Sequence, residues 1–198
     1  MDSGPCSDSR IAPLKAMPES YNYRIDRDNI LVSVSGNWDR FSAENAGADS
    51  VSAAEVVGRA LDEFIADDDT RSLYALVLDG VRGSNRPIAF RFRCDSPTQR
   101  RFCELRISPG DDGAVDFESR ILMTERRRPV PLLQADEQSD RDEFLKACSM
   151  CKRIAVNDAE WVEIEAAIGR LHLDRRERTP RITHGLCADC HAGIVASL

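Results

Sequence analysis

Apolar positions along the chain change their spacing as one moves from the N-terminus. Two short runs come first, Tyr21 to Asp26 and Ile30 to Ser35, parted by Arg27-Asp28-Asn29. Short runs of this kind separated by turn-forming residues read as two strands of a hairpin. Gly36-Asn37 ends the second, and Trp38 to Asn45 can make a short helix. After a loop at 47–50, Ser52 to Ile65 is partly helical, with Val56, Val57, Leu61 and Phe64 near one face and Gly58 interrupting. Asp67-Asp68-Asp69-Thr70 starts a further helix, because acidic side chains favour the positive end of the helix dipole. Leu73, Leu76, Val77 and Val81 then follow at helical spacing.

From Pro87 the period becomes two. Ile88, Phe90, Phe92 and Cys94 alternate with Ala89, Arg91 and Arg93, and Cys103, Leu105 and Ile107 alternate with Phe102, Glu104 and Arg106. Gly113 to Thr124 is another strand, with turns at Asp95-Ser96-Pro97 and 109–113. Two strands, several helices and three strands predict an α+β fold: an antiparallel sheet with helices packed on one face.

Pro129 and Pro131 break this pattern. The chain divides into a leader (1–20), the α+β domain (21–128), a linker (129–138) and a small C-terminal module (139–198). In that module Asn157-Asp158 can cap a helix from Ala159 to Leu171, whose apolar face is Trp161, Ile164, Ile168 and Leu171.

Composition narrows the class. The 198 residues are 42% hydrophobic and 31% charged, which is globular rather than disordered. No run is long and apolar enough to span a bilayer, and the first twenty residues lack the basic and apolar regions of a secretory signal. The expected setting is the cytoplasm, away from membranes. A net charge of −7 speaks against an obvious nucleic-acid binder. Yet seven Arg lie between Arg82 and Arg106 against one Asp and one Glu, and Arg126, Arg127 and Arg128 follow. These are either a solvated sheet face with Arg stems covering apolar surface, or a site for a partner or anion. Arg91, Arg93, Arg101 and Arg106 are expected to decorate the sheet.

Seven cysteines carry the strongest chemical signal: Cys6, Cys94, Cys103, Cys148, Cys151, Cys187 and Cys190. An odd count without a signal peptide argues against a secreted disulfide framework. Cys148 and Cys151 form one CxxC pair, Cys187 and Cys190 another, 35 residues apart. Each pair places two sulfurs on one side of an ion, and a structural zinc ion prefers a closed tetrahedron of such ligands. A module this small buries too little apolar area alone, so metal binding would contribute folding free energy. His184, three residues before Cys187, is an alternative ligand or a neighbour of the ligands. Redox chemistry at one CxxC and iron–sulfur ligation use the same residues. Cys187-Ala188-Asp189-Cys190-His191 spells the haem-attachment pattern, but that use normally needs export, and His191 reads as a surface residue of the last helix. Cys94 and Cys103 are expected to pack as small apolar residues. No P-loop, nucleophile elbow or kinase signature is present, and no catalytic residue is expected.

The first domain resembles the PAS fold. The segments carrying the resemblance are Ile25 to Val34, Asn37-Trp38-Asp39-Arg40-Phe41, and Val57-Gly58-Arg59-Ala60-Leu61-Asp62-Glu63-Phe64-Ile65. The resemblance covers roughly 21–125 and implies a five-stranded antiparallel sheet that senses a small ligand or mediates dimerisation; it does not name the ligand. The tail resembles a short cysteine module found after PAS or receiver domains of bacterial signalling proteins. It does so through Cys148-Ser149-Met150-Cys151-Lys152-Arg153-Ile154, Trp161-Val162-Glu163-Ile164-Glu165 and Thr183-His184-Gly185-Leu186-Cys187-Ala188-Asp189-Cys190. Together these imply a non-enzymatic signalling protein. Its PAS-like sensor, expected as a homodimer, is coupled to a helical zinc module that meets a separate protein effector. A zinc-containing nucleic-acid-binding transcription regulator and a thiol redox sensor are the alternatives.

Overall fold

The computed structural model describes residues 19–45, 52–133, 140–176, 178 and 180–198. Most of the expected leader, Cys6, the 47–50 loop and the second half of the 129–138 segment lie outside the described residues.

Strands β1 (Ser20–Ile25) and β2 (Leu31–Val34) form the expected antiparallel hairpin. Its turn is built by Asp26, whose Oδ1 accepts the N–H groups of Asp28 and Ile30, each at 2.9 Å. Asn29 sits at φ 64°, a left-handed conformation that asparagine tolerates. Helix α1 (Trp38–Asn45) follows. The partly helical stretch splits into α2 (Ala53–Val56) and a 3-10 turn over Leu61–Phe64. Gly58, at φ +90°, makes the break.

Helix α3 (Asp68–Ser84) is longer than the periodicity predicted. Asp67 caps it by accepting the Thr70 N–H at 2.8 Å, and Asn85, at φ 52°, ends it. Leu73, Val77, Leu78 and Val81 are buried, but Leu76 is 45% exposed and leaves the expected face. It precedes Val77 and so lies about 100° round the helix from it.

Strands β3 (Ile88–Arg93), β4 (Gln99–Pro109) and β5 (Val115–Arg126) complete a five-stranded antiparallel sheet in the order β2-β1-β5-β4-β3. This is the α+β architecture expected, a five-stranded antiparallel sheet with helices on one face. The covered face contributes Ile25, Ile88, Leu105, Ile107, Val115 and Phe117 to a core shared with Leu73, Val77 and Val81 of α3. Tyr23 stacks on Phe117 with ring centroids 4.4 Å apart. Cys103 is buried on this face, and burial, then the neighbouring Cys94, push its thiol up to about 12.

The opposite face matches its arginines with acids. Across the strands Arg91 faces Glu104, Glu104 faces Arg120, and Arg106 faces Glu118. Arg24 lies 3.5 Å from Asp116. Opposite charges on facing strands are mutually supportive, so Arg91 and Arg106 behave as the expected decoration. Arg93 does not: although it alternates with exposed residues, it is 7% exposed.

The C-terminal part contains helices, as expected, and also a sheet that the cysteine-rich text did not announce. Strands β6 (Asp140–Cys148), β7 (Ile154–Ala155), β8 (Trp161–Val162) and β9 (Pro180–Gly185) lie in the order β8-β7-β6-β9. The β6–β9 pair is parallel. Parallel neighbours need a long crossover, here the segment bearing β7, β8 and α4 (Ile164–Arg170). The helix expected over Ala159–Leu171 is thus shorter. Asn157 does cap, but it caps a turn: its Oδ1 accepts the N–H groups of Ala159 and Glu160 at 3.0 and 2.9 Å. Trp161 is consequently a strand residue. Val130, Leu132, Leu145, Ala147, Ile154, Ile164, Ala167 and Leu173 form this sheet's core. Helix α5 (Ala188–Val195) closes the chain.

Candidate metal centre

Two neighbouring parallel strands aim the two CxxC segments at each other. Cys148 ends β6 and pairs in register with Gly185, the last residue of β9. The first segment folds back at once: the Lys152 N–H bonds to the Cys148 carbonyl at 3.0 Å, and the Cys148 N–H to the Arg153 carbonyl at 2.8 Å. Lys152 holds φ 61°, which closes the turn. The second segment begins two residues after β9. Cys187 is the N-cap of α5 and Cys190 lies in its first turn. That end of a helix favours negative charge. The Ser149 N–H donates to the Gly185 carbonyl at 2.8 Å and ties the two turns together.

The sulfurs of Cys148, Cys151, Cys187 and Cys190 all lie within 4.8 Å of one another. Those of Cys151 and Cys187 are 3.8 Å apart. A disulfide would require about 2.05 Å. A zinc ion with four bonds of about 2.3 Å sets its sulfurs about 3.8 Å apart along each edge of the tetrahedron. One edge thus has the tetrahedral length and no pair is farther apart than 4.8 Å, an arrangement compatible with a metal site. Cys148 and Cys187 are buried, Cys151 and Cys190 half-buried.

The clustered thiols do not ionise independently. Hydrogen bonds from the Cys151 and Cys190 thiols and from backbone N–H groups hold Cys148 far below the usual thiol range. The Cys187 N–H lies 3.5 Å from its sulfur. The same contacts, seen from the other side, push Cys151 up to about 11 and Cys190 higher still. Without a cation, one thiolate discourages its neighbours from ionising. A divalent ion held by Cys148, Cys151, Cys187 and Cys190 would remove that penalty and favour all four as thiolates.

His184 is outside the cluster; the group within reach of one ion consists of the four cysteines. It lies on β9 with much of its surface open to solvent; partial desolvation of the ring by the surrounding protein, then the nearby Lys152, lower its pKa while Asp67 opposes them. The Lys152 ammonium donates to the Ser149 carbonyl at 2.9 Å, and Arg153 lies 3.9 Å from Asp189 at the second turn. Both cations are therefore anchored to the two turns that carry the thiols. His191 is exposed on α5.

Several residues around the centre escaped the sequence reading. Ser149, between the first two cysteines, donates its hydroxyl to Asp67 Oδ2 at 2.8 Å. The Arg93 N–H donates to the Met150 carbonyl at 2.7 Å. The Arg93 guanidinium forks onto both oxygens of Glu163 at 2.9 and 2.7 Å and also pairs with buried Asp95. Arg127, 6% exposed at its side chain, lies 3.3 Å from Asp95, and Arg100 lies 2.6 Å from Glu165. Period-two spacing placed Arg93 toward solvent, and no local signal reveals a partner 70 residues away. Arg101 lines a cavity of about 460 Å³ with Tyr21, Phe41, Gln99 and Thr124, and donates to Gln99 Oε1 at 2.8 Å.

No known protein family matches the sequence, and no curated protein does. Among solved structures, a domain of an HTR-like protein from Haloarcula marismortui ATCC 43049 is similar, with 10% identity and a TM-score of 0.39. The likeness covers 52% of this chain and 98% of that one. The photoactive yellow protein domain from the sensor histidine kinase Ppr of Rhodospirillum centenum is similar at 17% identity and a TM-score of 0.40, over 53% of this chain and 87% of that one. Likenesses of that size imply nothing about ligand or output. No helix among the described residues is long and apolar enough to cross a membrane.

Proposed function

We propose that this chain is a non-catalytic signalling protein of the cytoplasm, in which a PAS-like sensor domain is joined to one structural zinc ion. Cys148, Cys151, Cys187 and Cys190 hold the ion, and a separate protein partner receives the output. The carrying observation is the convergence of four thiols from two distant turns within 4.8 Å. Zinc suits a closed set of four thiolates whose role is to hold shape, because it has no redox chemistry of its own. His184, Lys152 and Arg153 surround the ligands rather than replace them.

Elemental analysis together with native mass spectrometry of the purified full chain tests this reading. The expected result is one zinc per chain, no visible absorbance, and a native mass of two chains. Iron with charge-transfer bands, or no metal even after incubation with zinc, would overturn the assignment. Zinc content should also survive mild peroxide; its release with disulfide formation would favour a thiol redox sensor instead.

A further inference from the structure

Both residues between the first pair of cysteines meet the sensor domain. Ser149 bonds to Asp67, the cap of α3, and Met150 accepts the backbone N–H of Arg93 at the end of β3. Cys148, Met150, Cys187 and Ile194 are buried in the same core as Leu73, Val77, Val81 and Ile88. Leu198, just past α5, packs on α3 at Gly80, where a Cβ would come within 3.1 Å of its Cδ2. The Arg93 fork onto Glu163 adds a third tie, to the residue that precedes α4.

We propose that metal occupancy of the cysteine centre sets the conformation of the sensor domain at two points, the first turn of α3 and the end of β3. The proposal rests on the reading of the cluster as a metal site. Its physical basis is that an ion fixes the backbone of the Cys148–Cys151 turn, and that turn presents the Ser149 hydroxyl and the Met150 carbonyl at the same time. When the ion leaves, the thiols no longer share a centre, Lys152 loses the constraint that holds its left-handed backbone, and both partners move off their acceptor and donor. The first turn of α3 then keeps Asp67 but without the Ser149 hydrogen bond that orients its carboxylate. Metal loading thereby becomes a signal that the sensor domain reads, and a change at α3 in turn alters how tightly the ion is held, since coupling between two sites is reciprocal.

The test is amide hydrogen exchange on the full chain, with metal content measured first. Removing the ion with a chelator under reducing conditions should lower protection at the Thr70, Arg71 and Arg93 amides by roughly tenfold, the loss expected of one buried hydrogen bond. Amides in the middle of the five-stranded sheet, such as those of Leu105 and Phe117, should keep theirs. Adding zinc back should restore the pattern. Ser149→Ala should retain the ion and still lose protection at Thr70 and Arg71, with Arg93 unchanged. Loss confined to residues 148–153 and 185–190, with α3 and β3 undisturbed after the ion has gone, overturns the coupling while leaving the metal site intact. A chain that never takes up zinc overturns the metal reading, and the coupling with it.

Discussion

Asp67 and Ser149 lie 82 positions apart, yet one carboxylate serves both a helix and the cysteine turn. Burial opposes ionisation of Asp67, but hydrogen bonds from the Thr70 N–H, the Ser149 hydroxyl and the Thr70 hydroxyl outweigh it and hold the carboxyl below its usual range. A carboxyl whose folded pKa is depressed contributes stability that is complete above its unfolded value, about 3.9, and is lost as pH falls through the folded value. Asp67→Asn keeps one oxygen to cap the Thr70 N–H but replaces the acceptor of the Ser149 and Thr70 hydroxyls with an amide N–H2, so it should cost about 1 kcal/mol at neutral pH, the usual net worth of a hydrogen bond. Urea unfolding should show that difference narrowing from about pH 5 downward; a gap independent of pH would mean the charge is irrelevant. The role of Asp67 as a helix start was legible in the run of acids before Thr70. Its bond to Ser149 was not, because nothing local distinguishes a serine that reaches across the molecule from one that meets water.

At the scale of elements, β3 shows why alternation reports only half of an environment. Its inward residues were readable from the spacing of Ile88, Phe90 and Phe92. Its outward face was taken as solvated, and so it is at Arg91, but at Arg93 the C-terminal sheet arrives and covers the strand. There the guanidinium is held protonated by Asp95 and Glu163 despite burial. Removing one member of a buried charge pair leaves the other uncompensated and costs about 3–5 kcal/mol. Arg93→Met should fall near the low end of that range, since Arg127 still faces Asp95. Combining it with Asp95→Asn should cost less than the sum of the two single changes, and strict additivity in denaturant titrations would show that the pair is not coupled. Strands β6 to β9 were missed for a related reason. Two are only two residues long, too short for a period to declare itself, and Trp161 matched a helical spacing that its backbone does not follow.

For the whole molecule, the distribution of charge decides between partners. The arginine-rich stretch suggested a surface for phosphates, but Arg91 and Arg106 stand opposite acids, while Arg93, Arg100 and Arg127 pair with Asp95, Glu163 and Glu165. A net charge of −7 adds long-range repulsion. Fluorescence anisotropy with labelled duplex DNA should accordingly show no binding that weakens steeply with salt. Affinity that falls with salt and disappears when Arg126, Arg128, Arg175 and Arg178 are neutralised would restore a transcription regulator as the better description.

The amino-acid text by itself determined the hairpin, the strand–helix–strand order of the first sheet and which four cysteines cluster. Each of those follows from local preference: alternation, capping, turn chemistry, and the fixed reach of two thiols across a CxxC turn. Tertiary structure alone decided that β6 and β9 run side by side, that the cysteine turn packs on α3 rather than standing apart, and that Arg93 and Arg127 are buried. Those outcomes depend on which surfaces meet when distant segments exclude water together, and no window of neighbouring residues contains that information.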